Sequence, residues 1–107
     1  MEKSDDLAAF AGREVVFRSG EPVWAMTYYG DPTTPAADRA ETYAFLRAAL
    51  ERATAERPYR GPTRFERGDR AYLSSIDGTL DRFSGEERIT DGDETVYRGE
   101  FVGGRLE

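Results

Sequence analysis

The chain contains no cysteine and no histidine. That absence removes disulfides, thiol nucleophiles and the usual zinc ligand sets. It also removes the side chain that most often acts as a general base near neutral pH, so Ser74-Ser75 has no partner for a conventional serine triad. Lysine is nearly missing: 14 of the 15 basic residues are arginine, and Lys3 is the exception. No apolar run reaches the length of a membrane span or a signal-peptide core, so a cytoplasmic location away from membranes is expected. A net charge of −6 repels phosphate backbones, so nucleic acid is not an expected partner. Acidity with so little lysine fits a salt-adapted or GC-rich source as well as an ordinary acidic bacterial protein.

Large aliphatic residues are scarce too. Leu, Ile, Val and Phe supply 19 of 107 residues, near the composition of chains that stay disordered. Six Tyr and one Trp argue the other way, because each aromatic buries a large area, and the apolar positions are patterned. The length fits one domain spanning 1–107. Residues 1–6 are polar and expected to fray, and Leu106-Glu107 is the dipeptide that a vector-encoded tag would leave.

Periodicity predicts strands over 14–17 and 22–29, joined by a turn at 18–21. Trp24, Met26 and Tyr28 share one face of the second strand. Thr34 can cap a helix with Pro35 at its first position, and the helix runs to about Glu56. Tyr43, Leu46, Leu50 and Ala53 form its apolar stripe, with Ala49 on the flank. Residues 58–62 stop the helix and open an irregular stretch of about ten residues. A third strand follows at 71–76, and Asp77-Gly78 is a tight-hairpin signal. Residues 80–83 and 87–90 form one strand interrupted near Gly85, where a bulge is expected. A turn at Asp91-Gly92 leads to the last strand, 94–102.

Residues 10–30 and 83–103 align without a gap at an offset of 73, with six of 21 positions identical. Phe10, Gly12, Glu14, Glu21, Val23 and Gly30 recur as Phe83, Gly85, Glu87, Glu94, Val96 and Gly103. Val16, Trp24 and Tyr28 keep their character in Ile89, Tyr97 and Phe101. The alignment implies two similar hairpins flanking the helix in one antiparallel sheet. The strand before the second copy has no counterpart before the first, so the 14–17 strand should be a free edge, and free edges invite homodimer pairing. The expected fold is α+β: one helix on a curved antiparallel sheet of about five strands, in the order ββαβββ.

The run from Phe10 through Gly12 to Glu14, the Gly20–Gly30 segment around Trp24, and Phe45-Leu46 with Ala49-Leu50 carry a family resemblance. So do Arg60-Gly61-Pro62, Phe83-Ser84-Gly85-Glu86-Glu87 and the terminal Gly103-Gly104. Together they resemble an uncharacterised bacterial and archaeal domain family of unknown function, which in some bacterial proteins follows an XRE-type helix-turn-helix. The resemblance covers most of residues 10–104 and implies no activity, cofactor or catalytic residue.

Five residues are candidates for function. Glu14 and Glu87 occupy equivalent places; paired carboxylates can do acid–base work, although each can instead accept backbone N–H bonds near its glycine. Tyr29 lies opposite Trp24 and Met26 and is the best single candidate for a ligand or partner contact. Tyr59 and Arg60 sit in a rigid aromatic, cationic loop. Arg60 can clamp an anion or close the helix C-terminus. The leading functional expectation is a non-enzymatic module that binds a small molecule or a protein partner. The alternatives are a small enzyme using Glu14 or Glu87 with a tyrosine, and a homo-oligomer pairing through its free edge. No metal or other cofactor is expected; the 91–94 acidic stretch is too short for a calcium loop.

Overall fold

A computed structural model describes residues 9–33, 38–54 and 59–106. The fold is α+β, one helix on a curled antiparallel sheet. The strands are β1 (Phe10–Arg18), β2 (Glu21–Pro32), β3 (Arg64–Arg67), β4 (Arg70–Thr79), β5 (Arg82–Asp91) and β6 (Glu94–Arg105), with the helix α1 (Arg39–Leu50) between β2 and β3. The sheet runs β1-β2-β6-β5-β4-β3, so the last strand of the chain sits at its centre and β1 lies at one edge. Among the described residues no helix is long and apolar enough to cross a membrane.

Among the described residues the sheet has six strands where five were expected. The additional one, β3, lies in the stretch read as irregular: Gly68, at φ 63°, turns the chain so that Phe65 pairs with Tyr72. The Asp77-Gly78 hairpin is also corrected. Both residues lie within β4, and the turn falls at Leu80-Asp81, whose carbonyls accept from the Trp24 indole (3.0 Å) and the Arg105 N–H (2.9 Å). Those bonds to β2 and β6 place the turn. Gly85 carries no bulge; it pairs in register with Phe101, and the shift comes at Ile89/Thr90.

The helix ends earlier than expected, at Leu50. The N–H groups of Arg52 and Ala53 bond back three residues to Ala49 and Leu50, and the Arg52 guanidinium donates to the Ala48 carbonyl. With Ala53 outside the helix and exposed, the buried stripe is Thr42, Phe45, Leu46 and Ala49. Thr42 tolerates burial because its hydroxyl donates to the Asp38 carbonyl at 3.0 Å. The expected cap at Thr34 and Pro35, Pro58, the frayed residues 1–6 and Glu107 lie outside the described residues.

The two aligned segments share one register. Adding 73 to every pair between β1 and β2, from Phe10↔Gly30 to Arg18↔Glu21, gives a pair between β5 and β6, from Phe83↔Gly103 to Asp91↔Glu94. The register shift at Val16/Phe17 recurs at Ile89/Thr90. Tyr28 and Phe101, equivalent by the same offset, face each other across β2 and β6.

One face of the sheet is apolar. Phe45, Leu46 and Ala49 of α1 pack on Tyr72, Ile89, Val96 and Tyr97, and a second buried cluster joins Met26, Phe83 and Phe101. At about 25 cal/mol per Å² of apolar surface buried, each large side chain here contributes on the order of 2 kcal/mol. The opposite face is solvated and polar, as alternation along half-buried strands requires.

Candidate functional site

Between the two apolar clusters sits a closed polar knot. Glu87, 3% exposed, points from β5 into the apolar side of the sheet. The Arg60 Nε and a terminal nitrogen donate to Glu87 Oε1 (3.3 Å) and Oε2 (2.9 Å). The Tyr72 hydroxyl donates to Oε1 at 2.7 Å and the Tyr97 hydroxyl to Oε2 at 2.6 Å. The Arg60 guanidinium also lies 4.2 Å from the centre of the Tyr28 ring. Gly99 leaves the room for this: a methyl group there would come within 2.9 Å of the Glu87 carboxylate.

Each carboxylate oxygen therefore accepts two hydrogen bonds, which leaves little capacity for a substrate. Burial, and then the charge of Glu87, hold the Tyr72 and Tyr97 phenols far above their ordinary pKa, so both remain donors at any physiological pH. Burial pulls the Arg60 pKa down, but the bond to Glu87 and its charge outweigh this, and the net direction is up. Opening the pair from one side would strand a buried charge, at a cost of about 3–5 kcal/mol.

The second feature is open. A groove of about 530 Å³ is lined by Glu14, Val16, Arg18, Val23, Trp24, Leu80, Asp81 and Arg105. Trp24 stacks on Phe83 at 5.6 Å, and Tyr59 meets Phe83 edge-on at 4.7 Å. Val16 is 50% and Leu80 43% exposed, so apolar surface lines this groove and reaches solvent.

Of the expected site residues, Arg60 and Glu87 meet and pair with each other. Tyr59 packs against Phe83 near them. Glu14 stands at the open groove, with β2 and β6 between its strand and that of Glu87, about 14 Å across the sheet. Tyr29 is exposed on the polar face and belongs to a different concavity, with Glu86, Glu100 and Val102. The expectation that Glu87 would be satisfied by backbone N–H groups is corrected: its partners are side chains from β4, β6 and the segment before β3. Among the described residues no cluster of acidic side chains fits a metal ion.

Residues 6–106 match the family described as Domain of unknown function (DUF5680). The chain belongs to that family. No curated protein and no solved structure matches it. A function for this DUF5680 domain has therefore to be argued from its own side chains. The sequence reading missed Val16, Leu80 and Trp24 as one surface. The signal was Trp24 directly opposite the apolar Val16 in the first hairpin, but the displaced 80–81 turn hid which loop would meet them.

Proposed function

We propose that this domain is a non-enzymatic binding module whose Trp24 groove takes an amphipathic small molecule with a flat apolar body. The groove carries this reading. Its size lies in the range of ligand pockets, an indole stacked on Phe83 forms part of its wall, and charges of both signs rim it: Glu14, Arg18, Asp81 and Arg105. We further propose that the two hairpins are copies of one unit, of which one became core and the other kept an open surface. If the domain follows a helix-turn-helix in longer proteins, as the resemblance implies, such a module would serve as its ligand-responsive part.

Trp24 is the only tryptophan, so its emission reports on the groove directly. Titration with metabolite classes is expected to shift Trp24 emission, and the same compounds should raise the melting temperature by mass action. The Leu80→Glu variant, folded by circular dichroism, is expected to lose both responses. Compounds that raise the melting temperature without touching Trp24 emission would refute the groove as the site. The enzymatic alternative retains one observation: Glu14 borders the groove, although no tyrosine lines it. Pairing through the outer edge of β1 remains the expectation for a homodimer formed edge to edge.

A further inference from the structure

On the polar face of the sheet, like charges confront each other. Arg88 of β5 is directly opposite Arg98 of β6, and one alternation further along Glu86 is directly opposite Glu100. All four are exposed, and together they line one groove of about 350 Å³. Cross-strand pairs of like charge destabilise a sheet. The obvious relief, an ion pair between neighbouring rows, is absent: none of the four makes one among the described residues. Tyr29 and Val102, each 53% exposed, flank the acidic row. On β5 and β6 the face thus carries two adjacent rows of opposite sign, about 6.8 Å apart along the strands, and Asp31 of β2 stands beyond Arg98 at the end of the basic row.

We propose that this face binds a second copy of the same chain. A two-fold axis parallel to the face, crossing the strands between the two rows, exchanges the rows. It sets Glu86 and Glu100 of each copy over Arg88 and Arg98 of the other. Residues that repel within one sheet then attract between two, which is the self-complementarity a two-fold interface requires. An axis within about 15° of perpendicular to the strands gives the aligned packing usual for stacked sheets. The protein is a slab 44 × 38 × 19 Å, and an interface of about 800 Å² per copy would take roughly half of its broad face. The arrangement is independent of the Trp24 groove, which lies on the other side of the sheet, and it leaves the β1 edge free.

The test is sedimentation of the full chain from about 1 μM to about 1 mM. Wild type is expected to form dimers that loosen about tenfold between about 50 and 500 mM salt. Two double variants, Glu86→Arg with Glu100→Arg and Arg88→Glu with Arg98→Glu, should each be monomeric and folded by circular dichroism. Mixed, they should form a heterodimer at least as tight as the wild-type dimer, since every facing pair is then opposite in sign. Wild type that stays monomeric throughout overturns the proposal. So do reversed variants that still self-associate, which would assign the contact to the β1 edge, and so does failure of the mixture to pair.

Discussion

The β1–β2 and β5–β6 hairpins share a register, a bulge and a glutamate, yet the two glutamates live in different worlds. Glu87 is buried with four hydrogen bonds; Glu14 faces solvent at a groove. Ile89 is fully buried, while its counterpart Val16 is half exposed. The sequences of the two ribbons do not explain this contrast. Their neighbours do. Outside β5 stands β4, which supplies Tyr72, and the segment before β3 supplies Arg60; outside β1 there is no strand among the described residues. One backbone address thus becomes core or surface according to what is laid against it.

The contrast can be broken most severely at the glutamates. Glu87→Ala should cost about 3–5 kcal/mol, because it leaves the Arg60 guanidinium buried without its partner. Glu14→Ala should stay within about 0.5 kcal/mol, the usual range for an exposed site. Urea midpoints compare the two directly. Replacing both partners, Arg60→Met with Glu87→Leu, should recover only part of the loss, since it removes both charges but leaves the buried Tyr72 and Tyr97 hydroxyls without their acceptor.

Alkaline titration sharpens the same contrast. The Tyr72 and Tyr97 pKa values are raised in the folded chain, so their contribution is complete below the unfolded value of about 10 and declines above it. Above that pH the unfolded chain binds fewer protons than the folded one. Stability should then drop by about 1.4 kcal/mol per pH unit for each phenol, measured by urea unfolding at successive pH values. Tyr97→Phe should remove one phenol's share of that slope.

The smallest effect separates the equivalent glycines. A methyl group at Gly85 would strike the Phe101 ring and come within 2.8 Å of the Ser75 carbonyl, which is backbone and cannot move aside. At Gly12 it would meet only the far end of the Tyr28 side chain. Gly85→Ala is expected to cost about 1–3 kcal/mol and Gly12→Ala less, read from thermal midpoints of the two variants.

Much of the fold was legible because strand period and sequence offset are local signals. The Phe10-to-Gly30 and Phe83-to-Gly103 segments align without a gap, and their alternation puts Tyr29 on the face opposite Trp24. What escaped was set by distant partners. The 80–81 turn is held by Trp24 and Arg105, so the Asp77-Gly78 signal, though chemically sound, marked a glycine needed within a strand. β3 is four residues long and closes on Tyr72, too short for periodicity to announce it. For the site, Arg60 and Glu87 were each singled out, but 27 residues of chain separate them and nothing local says that they meet. The charge rows on the polar face needed the β5–β6 register before Arg88 could be seen opposite Arg98.

The position of β6 has a consequence for synthesis. Its two neighbours, β2 and β5, can hydrogen-bond to each other through no other strand, and β2 waits more than sixty residues for the segment that joins it to the rest. While the polypeptide is still emerging from the ribosome, the first hairpin is an orphan ribbon with its aromatic side uncovered. Closure of the sheet is then a single late event, so a nascent chain arrested before β6 should be far more vulnerable to proteases than one arrested just beyond it.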